Sequence, residues 1–181
     1  MKRRILTSII VLSAILVWSC DHLGNTKQQR EADNRILQQK DGTVSLILDK
    51  AARYADASNP SNNTADWNVV ISTPGHYKVW LSSATKDTSN LRYANSVKIS
   101  LLDDRLEANP ACDKIVRNSG EVNYPYFRAD SYMGSIYVSE PGEYNIQVIS
   151  EKVLAKGEAS MGSSLAEDTK LMSVILTPTT R

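Results

Sequence analysis

Two polar stretches concentrate side chains suited to binding. Residues 118–133 (NSGEVNYPYFRADSYM) gather Tyr124, Tyr126, Phe127 and Tyr132 with Arg128 and Asp130, and residues 84–95 (ATKDTSNLRYAN) hold Arg92, Tyr93 and Asn95. An exposed aromatic ring stacks on the apolar C–H face of a ligand, while guanidinium, carboxylate and amide groups make paired hydrogen bonds to hydroxyls along its rim. Those residue types suit a recognition site for a ligand with an apolar face and a polar rim. The plainer reading of the same residues is structural. Rings in an all-β chain are commonly half core and half surface, and Arg92 and Arg128 would then be solvated or paired with nearby acids.

Reaction chemistry has no comparable support. The chain contains no nucleophile elbow, phosphate loop or zinc motif, and no carboxylate pair stands out as an acid–base couple. The histidines are His22, in a polar stretch, and His76, beside a turn, so a transition-metal site is not expected. A non-catalytic protein is the expectation.

Strands must position these residues. From residue 42 onward the apolar period is two, in short runs at 44–48, 67–71, 77–81, 97–101, 114–117, 135–138, 144–148 and 171–176 separated by Gly, Pro, Asn, Asp and Ser. Residues 50–57 read equally as a helical turn, a strand or a loop. Two junctions repeat each other, NVVISTPGHYKVWL at 68–81 and SIYVSEPGEYNIQV at 135–148. Proline pre-sets φ at the first central position of a type II turn and glycine supplies the positive φ needed next, so each junction is expected to be a hairpin. Counted from the tyrosines, Tyr77, Val79 and Leu81 share one face, and Tyr144, Ile146 and Val148 share its equivalent. These faces are expected to pack as the core of two stacked sheets. Trp67 has the parity of Val69 and Ile71 and belongs with the core. Trp80 falls on the opposite, mainly polar face, which makes it a candidate for ligand stacking.

In this order of elements the chain resembles the carbohydrate-binding modules of families 6 and 35 and their galactose-binding-like relatives. The matching segments are TVSLILDKAARYAD, ADWNVVISTPGHYKVWLSSA, SVKISLLD, GSIYVSEPGEYNIQVIS and LMSVILTP, within residues 42–178. The resemblance implies an all-β, two-sheet jelly-roll β-sandwich with a glycan site on the loops at one end or on a sheet face. Such a site would draw on Trp80, Arg92, Tyr93, Asn95, Tyr124, Tyr126, Arg128 and Asp130. Relatives commonly hold a structural calcium through an acidic residue near the start and an aspartate in the closing strand. Here residues 171–174 lack an aspartate, while Asp168 precedes them and Asp49 lies at the bend. No other cofactor is implied.

The N-terminus reads as an address. Lys2-Arg3-Arg4 precedes an apolar run at 5–17 that is too short to cross a ~30 Å hydrocarbon core, and Val17-Trp18-Ser19-Cys20 resembles a lipobox. Residues 1–19 are therefore expected to be a lipoprotein signal peptide, Cys20 the lipidated residue, and 20–41 a polar tether with a possible helical turn around 31–38. Cleavage would remove Lys2, Arg3 and Arg4 and no acid, taking the formal net charge from +1 to −2. Nothing in that balance attracts nucleic acid. About 160 remaining residues suit one domain. With Cys20 lipidated, Cys112 is left alone, so no internal disulfide is expected, and Cys112 is read as a small buried side chain. The expected location is the bacterial cell envelope, lipid-anchored, periplasmic or at the cell surface. Two roles fit: a sandwich that holds a glycan or polysaccharide, or one that docks another envelope protein and has no sugar site.

Overall fold

Period-two alternation becomes two stacked sheets. The computed structural model describes residues 35–153 and 168–179. The leader and the lipid attachment at Cys20 lie outside the described residues. In chain order the strands are β1 (Arg35–Leu37), β2 (Val44–Ile47), β3 (Ala52–Tyr54), β4 (Thr64–Ile71), β5 (Gly75–Thr85) and β6 (Val97–Leu101). β7 (Asp104–Ala108), β8 (Lys114–Val116), β9 (Phe127–Val138), β10 (Gly142–Ile149) and β11 (Thr169–Pro178) follow. A six-stranded sheet runs β1-β4-β10-β6-β7, with β3 also on β4, and a five-stranded sheet runs β2-β11-β5-β9-β8. The all-β sandwich expected from the sequence is the fold observed.

Its core is built from the expected parity. Tyr77, Val79 and Leu81 of β5 face Tyr144, Ile146 and Val148 of β10 across the sandwich, and all six are buried, as is Trp67. Full burial of each large apolar side chain contributes about 1.5–3 kcal/mol. The Trp67 indole N–H donates to the Ile47 carbonyl at 2.9 Å, so its polar edge is satisfied inside.

The two Pro-Gly junctions are not hairpins. β4 and β10 pair in one sheet, while β5 and β9 pair in the other, so each junction carries the chain across the core from sheet to sheet. Gly75, at φ +151°, opens β5 instead of occupying the second central position of a type II turn, which needs φ near +80°. Both a hairpin and an arch need a bend between alternating strands, and the local pattern is common to both. The repeat itself carries the arch: Gly75 pairs with Val138 and Gly142 pairs with Ile71, so the two junctions exchange partners symmetrically. In each, the tyrosine hydroxyl donates back to the carbonyl four residues earlier, Tyr77 to Thr73 and Tyr144 to Glu140.

The reading of residues 20–41 as a tether also fails in its last part. Arg35–Leu37 is a parallel edge strand on β4 with Ile36 buried, not a helical turn. Three residues are too few to display a period. Gln38 then closes the first arch: its Oε1 accepts from the Ser72 and Thr73 amides at 3.0 Å, and its Nε2 donates to the Tyr77 hydroxyl at 2.7 Å. Strand β7, polar and at a sheet edge, was likewise silent in the pattern, and 50–57 resolves into the end of a 3-10 turn followed by β3.

Tyr77→Phe should cost about 1–2 kcal/mol, since it removes the partner of both Thr73 and Gln38, and Tyr144→Phe about 1 kcal/mol. Urea unfolding of the two variants checks the order. Equal midpoints for both variants and the parent would contradict this account of the arches.

Candidate functional site

The outer face of the five-stranded sheet collects three of the sequence candidates into one file. In-register pairs on β5 and β9 run Trp80 with Tyr132, Ser82 with Asp130, and Ala84 with Arg128. Paired residues share a face, and alternate residues along each strand return to it. The file is flanked by Ile175 beside Trp80 and Lys170 beside Ala84 on β11, and by Lys114 beside Asp130 and Val116 beside Arg128 on β8.

A bulge creates this alignment. The register shifts between Val79 and Trp80, where Met133 is the extra residue of β9. Ile136 and Val138 point into the core on one side of the bulge, while Tyr132 and Asp130 on the other side lie on the outer file. Without the extra residue, Tyr132 would share the inward parity of Ile136; a bulge re-aims side chains in this way. Gly134 stands next to it at φ +130°, where a Cβ would come within 3.0 Å of Leu106. Glycine inside a strand pattern is the signal from which the bulge could have been read.

At the base of the file the polar groups are held firmly. Arg128 Nε and Nη2 meet Asp130 Oδ1 and Oδ2 at 2.8 and 3.2 Å, Arg128 Nη1 meets Glu121 Oε2 at 2.8 Å, and the Ser82 hydroxyl donates to Asp130 at 2.7 Å. Burial opposes the Arg128 charge, but Asp130 and Glu121 more than offset it and hold the guanidinium pKa above its ordinary value. Above this network Trp80 and Tyr132 pack with ring centroids 5.2 Å apart and planes at 56°. Tyr132 is 43% exposed, its hydroxyl bonds Ser135 at 2.8 Å, and its amide donates to Asp113 at 2.7 Å. Two tilted rings next to the Arg128–Asp130 pair can stack a sugar face, while that nearly buried guanidinium–carboxylate pair fixes the strands that carry them. Tyr132 stood in the aromatic cluster read at 118–133 but not in the expected site, and Ser82 and Glu121 were not among the candidates.

The remaining candidates separate from the file. Tyr126 sits at its loop end beneath two ammonium groups, Lys86 Nζ at 5.2 Å and Lys170 Nζ at 5.4 Å from the ring centroid. Arg92 pairs with Asp87 and Asp168, each at 3.7 Å, and Asp168 also meets Lys86 at 3.8 Å, which links Arg92 to the Tyr126 side of the file. Tyr93 turns inward: its ring packs on the core and its hydroxyl lies 2.9 Å from that of Ser83, whose parity is the inner face. Its place is in packing and not on the outer face. Asn95 is exposed on the same loop, and Tyr124 is 91% exposed.

The two aspartates considered for calcium do not form a donor set. Asp49 Oδ1 holds Arg53 at 2.6 Å, and Asp168 lies between Lys86 and Arg92. Cationic side chains already occupy these carboxylates, and no group of three or more His, Cys, Asp or Glu among the described residues is placed to hold a metal. Cys112 is half-buried instead of fully buried. Burial pushes its thiol pKa up, with the charges of Asp87 and Asp113 adding to the effect.

The class defined by this fold is a two-sheet β-sandwich. The crystal structure of alpha-L-fucosidase from Vibrio sp. strain EJY3 has a similar fold at a TM-score of 0.63 and 20% identity, over 80% of this chain and 24% of that one. The GH26-CBM35 beta-(1,4)-mannanase of Podospora anserina aligns at 0.46 and 11%, over 78% of this chain and 29% of that one. The mosquito-larvicidal Cry4Aa toxin of Bacillus thuringiensis aligns at 0.49 and 12%, over 82% and 25%. The chain thus spans under a third of each of these proteins, and the likeness is one of fold. No protein-family model and no curated protein sequence matches it.

Proposed function

We propose that this chain is an extracytoplasmic lipoprotein of the bacterial envelope, anchored through Cys20, whose sandwich binds glycan without cleaving it. The observation that carries the reading is the file on β5 and β9, where the exposed Tyr132 ring packs on the half-buried Trp80 ring next to a guanidinium–carboxylate pair already fixed in place. Rings held in position lose little entropy when a ligand stacks on them. Affinity at a single sugar would be modest, because such a site exchanges water hydrogen bonds for protein ones at small net gain. The occurrence of a similar fold in a chain named as a fucosidase accords with sugar recognition and does not carry it. An acylated Cys20 would hold the domain at a membrane, since two or more acyl chains anchor stably where one does not.

A glycan array probed with the full chain tests the binding claim, with labelled palmitate incorporation into parent and Cys20→Ala testing the anchor. Selective signal on glycans and label lost with Cys20 are the expected results. An array with no signal on plant, host or microbial polysaccharides would remove the glycan reading and leave protein docking in its place.

A further inference from the structure

We infer, resting on the glycan reading, that the ligand is an extended acidic sugar chain lying along β5 and β9 across two aromatic stations, and not a single sugar held by the end loops. The first station is Trp80 with Tyr132. The second lies further along the same two strands and on the same face: His76 and Tyr137 are in register, with ring centroids 4.7 Å apart and planes at 39°. Tyr137 is 54% exposed, and its hydrophobic ring has no place in the core. Four residue steps along β5 separate the stations, about 13 Å at a strand rise of roughly 3.3 Å per residue. One sugar ring cannot cover both. A chain of several units can, with non-adjacent rings on the two stations.

Charge selects the kind of chain. Between the stations stands Lys78, exposed, in register with Ser135 on one side and Thr177 on the other. Among the described residues Lys78, Lys114 and Lys170, all on this face, enter no ion pair. Near the first station Asp130 and Glu121 share one Arg128 and Asp113 keeps its charge beside Lys114, while Lys170 stands over the Tyr126 ring, so Lys78 carries the surplus positive charge beside the rings. The exposed Lys78 ammonium between the two stations makes this stretch complementary to carboxylate or sulfate groups on a sugar polymer, although the chain as a whole is near neutral.

Calorimetric titration of the full chain with length-graded fragments of polygalacturonate, alginate and dextran sulfate, and with neutral cello-oligosaccharides, tests both parts. Affinity for an acidic series should rise roughly tenfold from dimer to hexamer, the gain of one added stacking station. Tyr137→Ala and His76→Ala should abolish that gain and leave dimer binding intact. Lys78→Ala should weaken acidic hexamers about fivefold at low salt and leave neutral ones unchanged. The carboxylated and sulfated arms show which acid is preferred, and a preference for either supports the inference. Affinity independent of length, or neutral hexamers bound as tightly as acidic ones, would overturn it while leaving glycan binding standing. No binding to any sugar, acidic or neutral, would overturn the glycan reading itself.

Discussion

Arg128→Ala is expected to lower unfolding free energy by about 3 kcal/mol, because removing one partner of a buried ion pair strands the other. The Asp130 side chain is only 7% exposed and that of Arg128 17%, so little solvent screening softens the loss. After the substitution Asp130 keeps the Ser82 hydroxyl and loses both guanidinium contacts. Glu121→Ala should cost far less, about 0.5 kcal/mol, since Glu121 is 54% exposed and hydrates freely. A double-mutant cycle over Arg128 and Asp130, read by chemical unfolding, isolates the coupling. A coupling below that of an exposed pair would show that the network does not hold the base of the file.

Trp80→Ala should reduce glycan affinity by roughly thirtyfold, the equivalent of about 2 kcal/mol expected for truncating a central aromatic anchor. Trp80 sits mid-strand between Ile175 and Tyr132, so its loss removes the stacking surface and also the lateral support of Tyr132. Trp80→Phe should keep the fold and recover part of the affinity. Tyr93→Ala separates packing from binding: with its ring on the core and its hydroxyl on Ser83, it should lower the melting temperature without a comparable loss of affinity.

Side-chain parity was legible in the chain and strand partnership was not. The tyrosines of the two Pro-Gly repeats fixed which residues of β5 and β10 point inward, because a strand alternates whatever it pairs with. Pairing depends on contacts far apart in sequence, and the repeats fit hairpins and arches equally. The outward position of Trp80 followed from alternation alone. The outward positions of Asp130 and Arg128 did not, since they lie beyond the Met133 bulge, where counting back from Ile136 gives the wrong face. Arg92 and Tyr93 are neighbours in sequence but diverge in space, one into surface ion pairs with Asp87 and with Asp168 just before β11, and one into packing beside Ser83 of β5. Gln38, in a stretch that reads as polar tether, gained its role from an arch more than thirty residues downstream.

The most direct test of the central claim is an NMR titration of the indole N–H signals with an acidic hexasaccharide. Trp67 is buried with its N–H bonded to Ile47, whereas Trp80 lies on the outer face beside Tyr132. Saturable movement of the Trp80 signal, with Trp67 unmoved, is the predicted result. Saturating sugar binding with the Trp80 signal stationary would contradict the placement of the site on β5 and β9.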